Sequence, residues 1–586
     1  MEFKSLIIKK FRNFEDINVN LTNQNVVFGM NDVGKTNFLS AIRFLLDREV
    51  RKNGFKETDY FQRNVSEKIE ITLEVSLADY VDSEDTKFIV SKVGGARNTD
   101  NLESFYFKVE GEYDTAEEIG EPKIYWGNEK DNLLLVTSNG MFTDLDKIFQ
   151  IVYVDPTINL DQVFKKNRKN IFDESKLNDD DKKISNEIKQ LSNEVNNKIG
   201  TMEMIKEFQT TLTGEYHDLR KEKVTIELKS EMAIKGYFDD LIPYIKKEND
   251  DKLYPTSGDG RKKILAYSML NHLVKKQKSH KLTIYLIEEP ENSLHRSMQL
   301  ALSYQLFNKD IYKYFFLSTH SAELLYEMDN AALIRLYSKD KTDCSSTIYE
   351  LGETYKNLKK ELNRTLAHAL FTEKVLLVEG PSEKVLFEKI LNSINPFYEL
   401  EGGFLIEVAG IKFKPYVAIL TSLGIKCFVK TDNDLKSQRG NAEKFDLIGF
   451  NRCLELTNRK KLHSILIDLS AAKLSSGGYS IKTKEKIINE TKLRVYRYFK
   501  FIIEDLESKN IYLSKIDLEN DLYEAIPEKM TDLFGPKDPI KEIQKAKLLN
   551  MIKLVEELSN EDCKSIYNHN LFCSLKEFAI YESGDN

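Results

Sequence analysis

The residues with the most chemistry to offer are carboxylates placed at the ends of short apolar runs. Glu379 follows the run 375–378 and is itself followed by Gly380, a pattern that predicts a buried parallel strand delivering an acid at a tight turn. Asp432 and Asp434 close a second run, 427–431, and stand two apart, so on an extended segment both face one side. A third group, Asp517, Glu519 and Asp521, comes just after the β-rich run 511–516. Carboxylates gathered at one sheet edge repel one another unless a hard dication neutralises them, and Mg2+ or Mn2+ suits an all-oxygen set. A lysine, Lys545 or Lys547, lies on a helix expected over residues 541–558. Two ions and an ammonium suit phosphodiester hydrolysis, one ion activating water, the other steadying the leaving oxygen, and the ammonium offsetting charge on the phosphate.

A second chemistry lies at the other end of the chain. Gly29-Met-Asn-Asp-Val-Gly-Lys-Thr36 is a complete G-x-x-x-x-G-K-T between a strand expected at 25–28 and a helix marked by Phe38, Ile42, Phe44 and Leu45. Gly29 and Gly34 let backbone N–H groups curl around phosphate, Lys35 reaches the β and γ phosphates of ATP, and Thr36 offers its hydroxyl to Mg2+. Asn31, Asp32 and Asn37 complete this expected nucleotide-binding stretch. A buried strand at 282–287 ends in Glu288 and Glu289, expected to hold Mg2+ through water and to polarise the attacking water. After a strand at 314–317, His320 stands where related ATPases sense the γ phosphate, and Arg12 and Asn13 resemble residues that reach nucleotide there. Ser257 and Gly258 resemble the signature loop of ABC-type ATPases, whose Ser-Gly pair at a helix N-terminus contacts nucleotide on a second subunit.

The elements that must position these groups are those of a large α/β protein. The 586 residues, 41% hydrophobic and 31% charged, predict two large domains with real cores. The net charge of −8 argues against indiscriminate nucleic-acid binding but leaves room for a local basic groove. The five cysteines lack metal-ligand spacing. No leader-like segment opens the chain and no eighteen apolar residues run together, so a cytoplasmic protein without a membrane span is expected. Between the halves of the nucleotide site, residues 160–225 form an insert in which Ile184, Ile188, Leu191, Val195 and Ile199 make one apolar helical stripe. That stripe either packs on a neighbouring helix or serves self-association. Lys165, Lys166, Arg168 and Lys169 form a basic cluster, and Lys436, Arg439, Arg459, Lys460, Arg494 and Arg497 are further candidates for DNA-backbone contact.

The glutamate after one strand and the Asp-x-Asp after a later one, with residues 404–408 as a middle strand, resemble the Toprim domain. The chain then reads as an ABC-type P-loop ATPase domain over 1–345, a connecting helix over 346–370 and a Rossmann-like Toprim nuclease domain over 371–586. That order resembles the overcoming-lysogenization-defect (OLD) nuclease family. The words Phe28-Gly-Met-Asn-Asp32, Leu286-Ile-Glu-Glu-Pro290, Thr431-Asp-Asn-Asp-Leu-Lys436 and Ile516-Asp-Leu-Glu-Asn-Asp-Leu522 look most like the nuclease subunits of Gabija anti-phage systems. The resemblance implies a metal-dependent endonuclease acting on double-stranded DNA under nucleotide control. It also implies a homo-oligomer, dimer or tetramer, and a GajB-like helicase subunit of the UvrD type. By the family's pattern Glu379, Asp432, Asp434 and Asp517 are metal ligands, Glu383 and Glu519 support them, and Lys547 is the catalytic lysine, with Lys545 the competing choice. A Toprim topoisomerase would need a tyrosine on a further domain, and a primase a zinc-binding cysteine cluster. From a different class, an ATP-dependent DNA-binding repair or scaffold protein of the chromosome-maintenance type would leave a bound plasmid intact.

Overall fold

The computed structural model describes residues 1–96, 101–136, 138–139, 142–158, 160, 163, 178–220, 224–225, 244–246, 253–255, 258–276, 281–326, 331–338, 346–350, 364–408, 412–475 and 478–579. Ser257, the basic cluster Lys165, Lys166, Arg168 and Lys169, and residues 351–363 of the expected connecting helix lie outside them; residues 346–350 of that expected helix form instead the strand Ser346–Glu350, and Arg364–Ala369 is helical. By compactness the chain divides into residues 1–154, 280–291 and 296–586, and residues 155–279 and 292–295.

The larger unit holds three principal sheets. An antiparallel sheet of six strands runs in the order Phe14–Asn20, Glu2–Phe11, Ile69–Ser76, Phe105–Asp114, Ile119–Gly127 and Leu134–Leu135. Its strands alternate buried and exposed residues, as Phe105–Asp114 does with Phe105, Phe107 and Val109 inward. The second sheet orders Phe149–Val154, Leu282–Glu288, Phe315–Thr319, Gln24–Phe28, Ala332–Ser338 and Ser346–Glu350, with all neighbours parallel except the last pair. Continuous apolar runs such as Val26-Val27-Phe28 and Ile284 to Ile287 are buried from end to end, as strands covered on both faces must be. The helix Lys35–Leu46 packs Phe38, Leu39, Ile42 and Leu45 into the core that these two sheets share.

The third sheet is parallel throughout, in the order Gly403–Glu407, Lys374–Val378, Lys426–Thr431 and Ile511–Leu513. Residues 404–408, expected as a middle strand, lie at the sheet's edge. The chain leaves Lys374–Val378 through the helix Pro381–Ile394, forms that edge strand, and crosses back through Phe413–Ser422 to the other side of the first strand. Two further expectations need correction. The polar stretch 436–440, whose Lys-Ser-Gln-Arg-Gly sequence reads as a loop, belongs instead to a hairpin of Leu435–Gln438 with Asn441–Leu447, turned at Arg439 and Gly440. The helix expected over 541–558 is two helices, Pro539–Lys545 and Lys547–Glu557, because Ala546 adopts φ −144°, ψ 66°. No glycine or proline marks this break; the Asn550 side chain bonds back to the Glu542 carbonyl at 2.6 Å across it.

In the smaller unit, the helices Asp179–Gly200 and Glu203–Arg220 form the insert, and Asp259–Lys276 starts immediately after Gly258. The Asn178 side chain caps the first of these by accepting from Asp181 N at 2.7 Å. Its apolar stripe is uncovered at Ile184, Leu191 and Val195. Among the described residues no helix is long and apolar enough to cross a membrane.

The third sheet buries an ion pair against its neighbouring helix, Lys430 with Asp521 at 2.9 Å, their side chains 4% and 1% exposed. Lys430 Nζ also donates to the Leu571 carbonyl, joining a strand, the helix Leu518–Ala525 and the C-terminal region. Removing one partner of such a pair strands a buried charge at a cost of about 3–5 kcal/mol. Asp521→Ala should therefore lower the unfolding free energy of the part of the chain built on this sheet by that order, measured by equilibrium denaturant unfolding, whereas Lys430→Met/Asp521→Leu should recover most of the loss.

Candidate functional site

The adjacent parallel strands Lys374–Val378 and Lys426–Thr431 end at the same sheet edge, which brings Glu379 beside Asp432. Glu379 Oε1 accepts from the Asp432 backbone N–H at 2.9 Å and from the Thr431 hydroxyl. Arg452 donates from Nη1 to Glu379 and Thr431, and from Nη2 to Asp434 Oδ2 at 3.2 Å. The helix carrying Arg452, Ile448–Leu456, begins directly on the Asp-x-Asp turn, where Gly449 N donates to the Asp434 carbonyl at 3.0 Å. A Cβ at Gly449 would lie 2.4 Å from the Asp432 carbonyl oxygen, so only glycine lets the helix approach this closely.

Lys547 organises the other side of the cluster. Its Nζ stands 3.1 Å from Glu519 Oε1, 3.6 Å from Glu383 Oε1 and 4.0 Å from Asp432 Oδ2. The break at Ala546 puts Lys547 first in its helix. Lys545, by contrast, is an exposed partner of Glu542. Glu383 lies in the first turn of Pro381–Ile394 and turns back to accept the Gly380 backbone N–H. Asp517 caps Leu518–Ala525 by accepting from Asn520 N at 2.9 Å, and Gln544 donates to its other oxygen at 3.1 Å. Asp521 faces away, tied to Lys430.

Burial dominates the electrostatics here. It raises Glu383 and Glu519 above the usual carboxylate range, against the pull of Lys547. Asp432 is driven well above that range by burial first and then by Glu379. Burial alone would lower Lys547, but Glu519, Asp432 and Glu383 outweigh it and hold the ammonium protonated. Among the described residues no three Asp, Glu, His or Cys side chains enclose a point as an ion would require; Arg452 and Lys547 stand between the acids instead. The donors nonetheless fit a hard dication. They are all carboxylate oxygens, and Glu519 Oε1, wholly enclosed, has no hydrogen-bond partner beyond its ion pair.

The nucleotide loop follows the strand Gln24–Phe28 and runs into Lys35–Leu46. Gly34 has φ +96°, and a Cβ there would lie 2.0 Å from Asn13 Nδ2. Lys35 Nζ donates to the Met30 carbonyl at 2.7 Å and the Gly29 carbonyl at 3.3 Å, and burial lowers its pKa to about 8. Thr36 donates to Glu288, whose other oxygen takes the Tyr153 hydroxyl. Glu289 has φ +41°, a left-handed backbone held by its N–H to the Ser318 carbonyl at 2.9 Å, and His320 Nε2 lies 3.1 Å from Glu289 Oε1. Burial, then the charge of Lys35, lowers the His320 pKa and favours neutral imidazole. Arg12 and Asn13 meet Asn37 rather than open space, at 2.9 Å and 2.7 Å. Asn31 and Asp32 are exposed on the loop, and in the smaller unit the Gly258 carbonyl accepts from Lys262 N in the first turn of Asp259–Lys276.

Three participants escape the sequence reading. Arg452 stands far from any motif and carries no local signal. Tyr153 ends a strand as an ordinary aromatic residue. Glu291 accepts from Thr319 and from His320 N at 2.8 and 2.6 Å, while its Oε2 is buried without a partner and burial raises its pKa. Its only signal is its place in the acidic string Glu288-Glu289-Pro290-Glu291.

Comparison with known proteins gives two family matches. Residues 370–434 match the TOPRIM domain described as overcoming lysogenization defect protein-like, and residues 1–370 match a family described as protein of unknown function (DUF2813). The chain is 51% identical over 584 residues to the endonuclease GajA of Bacillus cereus (strain VD045), covering 100% of both chains. Among solved structures, it resembles the Smc head domain with an extended coiled coil from Pyrococcus furiosus at 14% identity and TM-score 0.35, covering 62% of this chain and 99% of that one. The C-terminal region of the Burkholderia pseudomallei OLD protein matches at 14% identity and TM-score 0.21, over 36% of this chain and 97% of that one. TM-scores this low decide nothing; the full-length identity decides the family. This chain belongs to the OLD family of endonucleases, that of GajA, with an α/β portion that carries the P-loop followed by a Toprim domain.

Proposed function

We propose that the protein nicks or cuts double-stranded DNA with Mg2+ or Mn2+ held at the Toprim edge, and that nucleotide at the P-loop controls this activity. The observation that carries the reading is the pairing of Lys374–Val378 with Lys426–Thr431, which sets Glu379 against Asp432 at one sheet edge, with Glu383, Glu519 and Lys547 gathered around them. Glu379, Asp432, Asp434 and Asp517 are the proposed ligands, and Glu383 and Glu519 support them. When bound, the dication supplies the Lewis acidity that makes water nucleophilic at neutral pH and neutralises the leaving oxygen.

The protein's own groups then have separate tasks. Thr431 and the Asp432 N–H fix Glu379 in one orientation. Lys547, kept protonated by three acids, offers its ammonium to the scissile phosphate. At the other site, Lys35 and the loop N–H groups bind the phosphates, Thr36 and Glu288 hold Mg2+, Glu289 orients water and His320 reads the γ phosphate. High nucleotide holds the nuclease off in this scheme, and its depletion during phage infection releases it. The same reading includes an anti-phage role in the cytoplasm, a helicase-like partner of the GajB type, and a homo-oligomer. The exposed stripe Ile184, Leu191 and Val195 supports the last of these. The proposed division into an ATPase domain over 1–345, a connector and a Toprim domain over 371–586 follows from it.

Supercoiled plasmid provides the test. Glu379→Gln should slow Mg2+-dependent nicking by more than about a hundredfold, the scale on which removing one fixed electrostatic group slows a reaction. It should also weaken Mn2+ binding in a calorimetric titration, and nicking at the wild-type rate would remove the site. Lys547→Met should lose nicking on a similar scale while Lys545→Met stays within about twofold of wild type; the reverse pattern would assign the lysine to position 545. ATP should inhibit nicking by the wild type but not by Lys35→Ala, and equal inhibition of both would rule out control through this pocket.

A further inference from the structure

One buried side chain outside both sites connects them. Arg335, 2% exposed, lies on Ala332–Ser338, the parallel neighbour of the P-loop strand, opposite Phe28. The residue after it lies against the loop itself, since a Cβ at Gly29 would lie 2.3 Å from the Leu336 carbonyl oxygen. The guanidinium points the other way. Nη1 donates to the Leu423 carbonyl at 2.7 Å and Nη2 to the Thr372 carbonyl at 2.8 Å. Thr372 immediately precedes the segment that leads into Lys374–Val378 and so to Glu379. Leu423 closes the helix Phe413–Ser422 and leads into Lys426–Thr431 and so to Asp432.

We infer that Arg335 is the positioning residue through which the state of the nucleotide loop reaches the Toprim carboxylates, an inference that rests on the nucleotide-control reading above. A rigid planar fork that holds the entry segment of each acid-bearing strand through a separate nitrogen turns one segment against the other when it tilts, which a flexible lysine would not do. Among the described residues no carboxylate forms an ion pair with this guanidinium; its charge is offset by the two carbonyls, one of them at a helix C-terminus, by the Tyr337 ring at 5.2 Å and by the nearby charge of Glu373. The contact is flanked by rings that make the joint stiff. Phe28 meets Phe371 edge to face at 5.6 Å, and Tyr349 lies against Gly424, where a Cβ would come within 2.5 Å of its ring. Closely packed joints of this kind shift as units rather than bend. A movement of Gln24–Phe28 and its neighbour on nucleotide binding therefore displaces Glu379 relative to Asp432 and alters how they share an ion.

The test compares full-length wild type, Arg335→Lys and Arg335→Met in plasmid nicking with Mg2+ across an ATP titration, alongside binding of a fluorescent ATP analogue. Site-to-site coupling commonly amounts to about 5- to 150-fold. Both variants should bind the analogue as wild type does, and, with each variant's rate normalised to its own rate without nucleotide, inhibition by ATP should shrink by at least about fivefold. Inhibition equal to wild type overturns the role of Arg335 while leaving nucleotide control standing. Absence of ATP inhibition in wild type overturns both. Because a buried arginine can be needed for folding, hydrogen exchange of the wild type provides a second measurement: a nonhydrolysable ATP analogue should change protection in residues 371–378 and 423–431. Unchanged exchange there overturns the inference without recourse to a variant.

Discussion

The constraint on which the structure depends is the mutual repulsion of acids held close together away from water. Two unit charges 4 Å apart interact by about 4 kcal/mol at the effective dielectric of a protein surface, and burial removes the hydration that would make this tolerable. Glu379, Glu383, Asp432 and Glu519 face this cost together. The fold meets it by bringing two cations from separate elements, Arg452 from the helix after the Asp-x-Asp hairpin and Lys547 from the head of a late helix. Several features that look unrelated follow from that need. Gly449 lacks a side chain so that the Arg452 helix can touch the turn, and the helical pattern breaks at Ala546 so that Lys547 faces the acids.

The nucleotide site obeys the opposite rule. There the waiting charge is a cation: Lys35 sits buried on two loop carbonyls with its pKa drawn down to about 8, a poor environment for an ammonium until an anion arrives. Its acids are held by neutral donors, Glu288 by Thr36 and Tyr153, Glu291 by Thr319 and a backbone N–H. One end of the molecule is therefore prepared for phosphate and the other has the donors for a hard dication. Each site places its groups at the C-terminal ends of parallel strands, where the chain turns and side chains gather at one edge.

Much of this was legible in the sequence because parallel strands buried on both faces are written as unbroken apolar runs, and the residue after each run is placed by the sheet itself. Phe28 to Gly29, Ile287 to Glu288 and Val378 to Glu379 are such junctions, and Thr431 to Asp432 is one in which Lys430, paired with Asp521, interrupts the run. What stayed illegible depends on contacts across long separations. Arg452 reaches Glu379 over 73 positions, and Arg335 reaches Leu423 over 88, with nothing local to mark either. The order of strands in the Toprim sheet is likewise a matter of crossover geometry, which is why the strand that lies between the two acid-bearing ones in the chain sits at the sheet's edge. The polar stretch at 436–440 misled because a two-residue hairpin with glycine at its turn needs no apolar signal when side chains such as Gln438 and Asp446 bond across it.

A cation among the proposed metal ligands also changes what ion binding would have to accomplish. Arg452 bonds Glu379 and Asp434 with two nitrogens of one rigid group, so an ion approaching these oxygens competes with a partner already in place rather than with water. Its Nε has no partner and the side chain is 7% exposed, so the guanidinium is less completely satisfied than its two strong contacts suggest. Affinity for the dication is then a difference between two well-made arrangements of the same acids, and a small displacement of either strand changes its size. The proposed nucleotide control would then act on the spacing of Lys374–Val378 and Lys426–Thr431, the two strands whose entry segments meet at Arg335.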